Sequence, residues 1–124
     1  MLLSALVSYS YQDGVAFEIT LAAFLVLSIG ALFMLFGRQH EKQIQKREGY
    51  LIVSLGWILM AVSGTIPYLL TGTFTDFASS FFEAMSGLTT TGSTVFSDLQ
   101  GLPEGLLLWR GLMQWFGGVG VIVV

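Results

Sequence analysis

The sequence predicts an all-α membrane protein: two full transmembrane helices, a short helix and loop that enter the bilayer and return, and the start of a further span. Three observations predict it. The 124 residues are 54% hydrophobic and only 10% charged, far from the balance of a soluble globular chain. Two uncharged runs, Ile19 to Gly37 and Gly49 to Leu70, are each long enough at about 1.5 Å rise per residue to cross a hydrocarbon core. Between the second run and a third apolar one lies "LTTTGST", Leu88 to Thr94, a polar uncharged string for which a membrane-crossing helix has no use.

The opening "MLLSALVSYSYQDG", residues 1–14, has no basic flank and no small-residue cleavage site, so it reads as an extracytoplasmic segment, the last turns of something longer, rather than a signal peptide. A transmembrane helix follows over residues 15–37. Residues 38–48, "RQHEKQIQKRE" with the glycine-preceded Arg38 at its start, hold four of the chain's five Lys and Arg residues. Such a cluster stays in the cytoplasm and orients the spans around it. The second transmembrane helix covers residues 49–70, with Pro67 placed to kink or close it. Residues 71–103 form a short helix, a loop and a return. In that helix Phe77, Phe81, Ala84 and Met85 fall near one face, and Thr75 or Asp76 caps the start. At about a dozen residues it is too short to span. Pro103 suits the first turn of a new helix, and residues 104–124 read as the start of the next transmembrane helix, cut short. Asp13, Glu18, Asp76, Glu83, Asp98 and Glu104 all fall opposite the basic connection, and Arg110 is the sole cation among them.

Composition also excludes several classes of function. Cysteine is absent, which removes disulfides, thiolate metal sites and thiol nucleophiles. A net charge of -3 with five basic residues leaves no phosphate-binding stripe for nucleic acid. No Ser-His-Asp set, carboxylate pair or metal-ligand spacing points to an enzyme, and no cofactor is expected.

The threonine run carries the chemistry. Non-helical backbone at membrane depth is tolerated only where protein buries it or water lines it. Leu88 to Thr94 supplies backbone carbonyls and hydroxyls without a charged side chain, hard neutral oxygens suited to a large monovalent cation. Gly92 is free to adopt dihedrals that keep successive carbonyls aimed at one axis, and the C-terminus of the preceding short helix turns its partial negative charge on the same point. A polar loop or a helix-packing seam accounts for the same composition, and the residues alone leave these readings open.

"KREGYLIVSLGW", "FFEAMSGLTTTGSTV" and "LPEGLLLWRGLMQWFGGVGVIVV" together resemble the Trk/Ktr family of bacterial potassium uptake proteins, in particular its TrkH-type pore subunits, from about Tyr11 onward. The resemblance implies a potassium-channel-like unit of helix, re-entrant pore helix and loop, and helix, the first of four around a central pathway, preceded by an extra transmembrane helix. It implies that Thr90, Thr91 and Gly92 line a potassium selectivity filter, flanked by Thr89, Ser93 and Thr94, and that glycine at position 92 favours potassium where serine goes with sodium. It further implies uptake of potassium across the bacterial inner membrane by a multi-pass protein, as a homodimer with a cytosolic TrkA-type nucleotide-binding regulator. One unit supplies a quarter of each oxygen ring. A non-transporting accessory or structural membrane protein, and a sodium-permeable cation transporter, are the alternatives.

Other residues have narrower readings. His40 sits among charged neighbours and is not expected to ligate a metal. Glu83 either orients the loop, adds negative potential near the mouth, or is an ordinary buried or surface acid. Trp109 and Trp115 read as interfacial anchors, and Arg110 as an anchor or a brace for the loop. Gly117, Gly118 and Gly120 lack the context of a dinucleotide fingerprint and suit close helix packing.

Overall fold

A computed structural model of the chain describes residues 1–37 and 46–123. Five helices follow one another: α1 (Leu2–Tyr11), α2 (Ala16–Gly37), α3 (Lys46–Leu70), α4 (Phe77–Leu88) and α5 (Glu104–Val123). No strand occurs among the described residues. His40 and most of the basic connection lie outside them.

Local chemistry sets the boundaries. α1 closes on Gln12 in the left-handed conformation, its N–H returning to the Ser8 and Tyr9 carbonyls. α2 opens with Glu18 in its first turn, where the helix dipole favours an anion. α3 covers Lys46–Leu70, so residues 46–48, expected in the basic connection, are already helical, and it passes through Pro67. Pro67 therefore does not end it. Gly72 at φ 66° does, with Thr71 donating from both N–H and hydroxyl to the Pro67 carbonyl. Of the two residues expected to cap α4, Asp76 is the cap, its Oδ2 accepting from the Ser79 N–H at 2.8 Å. Pro103 precedes α5 and its carbonyl accepts from Leu106 and Leu107.

Among the described residues, α2 and α3 are the two helices long and apolar enough to cross a membrane. Only 17% of each apolar window is buried, so Phe24, Leu27, Phe33, Leu55 and Leu59 present their side chains outward. Soluble monomers rarely expose apolar patches beyond a few hundred Å², and such a surface requires lipid or further helices to cover it. α5 is 20 residues long and carries Glu104, Arg110 and Gln114 along its first eleven residues.

Segment 1–14, expected outside the membrane, holds α1, which lies alongside α2 and the first half of α5. The contact is made by small residues. A Cβ on Gly105 would come within 2.7 Å of the Ser8 Cβ and 3.0 Å of the Ser4 carbonyl, so this glycine allows the two helices to meet. Asp13 Oδ2 accepts from the Gly105 N–H at 3.2 Å, which ties the α1–α2 turn to the start of α5. The core is a row of modest side chains, Ala5, Ile19, Ala61, Ala84, Leu88, Leu106 and Met113, with Tyr68 and Trp109 as its large members.

Candidate ion-binding loop

After the turn at Gly72, α4 runs back along the end of α3 and against α5. Its buried face is Ser80, Glu83, Ala84, Gly87 and Leu88. The expected apolar face is only partly right: Ala84 is buried, Phe81 and Met85 pack on the core's edge, and Phe77 is exposed and stacks on Phe81. Gly87 and Gly64 admit Met113 between the helices. A Cβ on Gly117 would fall on the Leu88 carbonyl. That contact places the end of α4 about 20 Å along α5 from Glu104 at ~1.5 Å per residue.

From there the chain turns and climbs. Thr90 is left-handed at φ 57° and Gly92 at φ 77°, and Thr91 to Thr94 have no regular secondary structure. The Thr90 methyl would touch a Cβ at Gly118, Gly92 lies near Gln114 and Arg110, and Thr94 reaches Glu83. The loop thus rises back along the helices that α4 descended. Phe96 at its upper end stacks on Phe74, with ring centroids 4.5 Å apart, and Phe74 meets Tyr68 edge-on.

Three anchors hold the loop. Glu83 is fully buried and its carboxylate accepts three bonds: from Arg110 Nε at 2.6 Å, from Thr94 Oγ1 at 3.0 Å and from the Val95 N–H at 3.1 Å. A buried carboxylate survives only when paired and hydrogen-bonded in this way. Arg110 in turn donates from Nη2 to the Gly92 carbonyl at 3.2 Å. The third anchor is Ser86, whose carbonyl accepts from the Thr91 and Gly92 N–H groups and whose hydroxyl donates to the Ser93 carbonyl.

These anchors sort the loop's oxygens. The Gly92 and Ser93 carbonyls are held by protein donors, which differs from the expectation that successive carbonyls through Gly92 share one direction. The donors are Arg110, held beside the loop by Glu83, for Gly92, and the Ser86 hydroxyl for Ser93. Among the described residues, the carbonyls of Thr89, Thr90 and Thr91 receive no hydrogen bond, and all three residues are exposed. The Thr89 and Thr91 hydroxyls lie 2.8 Å apart on a hollow of about 210 Å³ shared with Phe82, Met85, Ser86 and Ser93. A cleft of about 620 Å³ near the α1–α2 turn, lined by Ser8, Gln12, Phe17 and Thr20 among others, is remote from the loop.

For Glu83 and Arg110, the structure selects one of the open readings: both touch the loop. Trp109 is a correction. It is buried, donates from Nε1 to the Gly64 carbonyl at 3.3 Å and packs α5 on α3, so it is not an interfacial anchor, whereas Trp115 is exposed. Gly117 and Gly118 seat the loop against α5, and Gly120 faces Trp57. Ser86 went unrecognised in the sequence. Its signal was available, since Ser80, Glu83 and Ser86 recur at three-residue spacing beside apolar Ala84 and Leu88, polar groups on a face that must be buried.

A helical membrane unit in which a short helix and an uncharged, non-helical return pack between longer helices defines the class: an integral membrane protein with a backbone-lined polar loop. Residues 15–124 match the family model described as TrkH, cation transport protein. The chain is 39% identical over 128 aligned positions to the Trk system potassium uptake protein TrkH of Salmonella typhimurium, covering 100% of this chain and 26% of that protein. It is 37% identical to the TrkH of Halomonas elongata, with 96% and 25% covered, and 32% identical to the Trk system potassium uptake protein TrkG of Escherichia coli, with 94% and 24% covered. The chain belongs to the TrkH family of cation transport proteins, a family of bacterial membrane transporters rather than enzymes. It spans about a quarter of the length of the curated relatives it matches.

Proposed function

We propose that the complete protein takes up potassium across the bacterial inner membrane and that Leu88 to Thr94 forms one quarter of its selectivity filter, with α4 as the pore helix. The single observation that carries this reading is the loop itself: uncharged, non-helical, bent by positive φ at Thr90 and Gly92, and leaving threonine carbonyls free on an exposed edge. In the proposed pore, the oxygens of Thr90 and Thr91 replace part of the ion's hydration shell. Gly92 contributes the turn and the second lone pair of its carbonyl, while Thr89, Ser93 and Thr94 frame the ring. The acidic ends face outside and the basic connection faces the cytoplasm, following the positive-inside rule. By family resemblance the complete protein works as a homodimer with a cytosolic TrkA-type nucleotide-binding regulator.

The test is uptake of potassium or rubidium by the complete protein in cells lacking their own uptake systems, comparing wild type with Gly92→Ser. A serine at φ 77° costs roughly 1–2 kcal/mol in the left-handed region and turns the adjoining peptides. The expected result is reduced uptake with a lost preference for potassium over sodium. Unchanged uptake and preference would overturn the filter assignment.

A further inference from the structure

We propose that Ser86 is a positioning residue that sets the loop's oxygen geometry and thereby its ion preference; this rests on the filter reading above. Several serine and threonine hydroxyls of these helices turn back on their own helix: Thr20 to the Ala16 carbonyl, Ser28 to Phe24, Ser63 to Leu59, Thr65 to Ala61 and, at the C-cap of α4, Thr89 to Met85, whereas the buried Ser4 and Ser8 hydroxyls of α1 have no partner among the described residues. Such i−4 bonding is the ordinary fate of a helical hydroxyl. Ser86 departs from it. Its hydroxyl reaches forward seven residues to the Ser93 carbonyl at 2.5 Å.

The same residue's carbonyl accepts from the Thr91 N–H at 3.0 Å and the Gly92 N–H at 3.4 Å. One residue therefore binds three consecutive loop positions, and it is only 6% exposed. The consequence is directional. The Thr91 and Gly92 N–H groups are turned toward α4, and because the C=O and N–H of a trans peptide point in opposite directions, the oxygens of those same two peptides, on Thr90 and Thr91, face away from it. With the Ser93 carbonyl captured, the run of free oxygens ends below it. Glu83 holds the loop higher up, at Thr94 and Val95, and cannot replace this control.

The experiment uses the complete protein in uptake-deficient cells and measures the KM for potassium, the maximal rate and the potassium-over-sodium preference. Ser86→Ala removes only the hydroxyl, and Ser86→Cys retains its shape with a weaker donor. Ser80→Ala is the control, a buried serine on the same helix whose hydroxyl bonds only the Asp76 carbonyl. Ser86→Ala is expected to shift KM and ion preference by roughly three- to tenfold, the scale of one lost hydrogen bond. Ser86→Cys should fall between it and wild type, and Ser80→Ala should leave both quantities unchanged at similar thermal stability in detergent. If Ser86→Ala matches wild type, or Ser80→Ala shifts preference equally, the inference is overturned. Gly92→Ser measured alongside separates the two claims: a shift there with none in Ser86→Ala rejects only the role of Ser86, whereas silence in both rejects the filter.

Discussion

Two adjacent glycines on α5 should respond to the same substitution in opposite ways. A Cβ on Gly117 would lie 2.6 Å from the Leu88 carbonyl carbon, 3.1 Å from its Cα, and nearer still to its oxygen. On Gly118 the nearest atom would be the Thr90 Cγ2 at 3.7 Å, an ordinary contact, and on Gly111 nothing lies within 4 Å. Leu88 is the last residue of α4, and the obstructing atoms are backbone, so no rotamer change relieves the clash. Gly117→Ala must push the end of α4 and α5 apart by more than about 1 Å, at or above the upper end of the ~1–3 kcal/mol that overpacking usually costs. If half of about 3 kcal/mol falls on the conducting arrangement, uptake drops roughly tenfold. Gly118→Ala and Gly111→Ala gain about 0.5–1 kcal/mol of helix propensity instead. The assay is rubidium uptake by the complete protein, normalised to membrane content, with thermal unfolding in detergent as the parallel measure. Equal uptake and stability in the Gly117→Ala and Gly118→Ala proteins would refute the packing of α5 on the loop's base.

Glu83→Gln keeps the shape of a buried side chain but leaves the Arg110 charge unbalanced beside the Gly92 carbonyl. For an ion roughly 6 Å from that guanidinium the repulsion is about 3 kcal/mol at an effective dielectric of ~20, or roughly a hundredfold in occupancy; Glu83→Gln combined with Arg110→Gln should recover part of the loss in uptake, and a double variant no better than the single one would show that charge balance is not the cause. At Asp76 the backbone N–H of Ser79 holds the carboxyl below the usual carboxylate range. A depressed folded pKa stabilises fully above the unfolded value of about 3.9 and is lost as pH falls through the folded value. Acid unfolding should therefore weaken wild type more than Asp76→Asn, which caps without titrating; parallel acid profiles would contradict the cap's role.

The spans were legible because hydropathy over twenty residues is a strong signal that tertiary context seldom reverses. The short helix was legible from its length, its aspartate cap and its spacing. Boundaries were less so: residues 46–48, expected in the basic connection, are already helical, because a helix end tolerates charge, and α3 runs on to Gly72's turn, because Pro67 sits near enough to the end to remove one bond without breaking the helix. The site was half legible. Threonines and glycine marked the loop by composition, and family resemblance supplied their proposed role. What composition could not show was the direction of each carbonyl, which depends on donors distant in sequence: Arg110 is 18 residues from Gly92, and Glu83 is 12 from Val95. Trp109 misled for the same reason. A tryptophan beside an arginine near a helix start reads as an anchor at the interface until the Gly64 carbonyl and a gap between small residues are known to receive it.

In the proposed filter the arrangement reconciles two requirements that conflict in any cation path. A non-helical backbone must be held rigidly, and in a low-dielectric setting charged groups hold it best because their hydrogen bonds are the stronger ones. Yet a net charge beside the path would either repel the cation or bind it too tightly to release. Glu83 and Arg110 meet both conditions because they are one salt bridge, 2.6 Å across, with the acid wholly buried and the base mostly so. The pair has no net charge, and its donors and acceptors bind the loop at Gly92, Thr94 and Val95. The carbonyl and hydroxyl of Ser86 hold Thr91, Gly92 and Ser93. The oxygens left over, on Thr89, Thr90 and Thr91, are then neutral and fixed in direction without having to supply any of the anchoring themselves, which is the condition under which small differences in ion size or hydration become differences in binding.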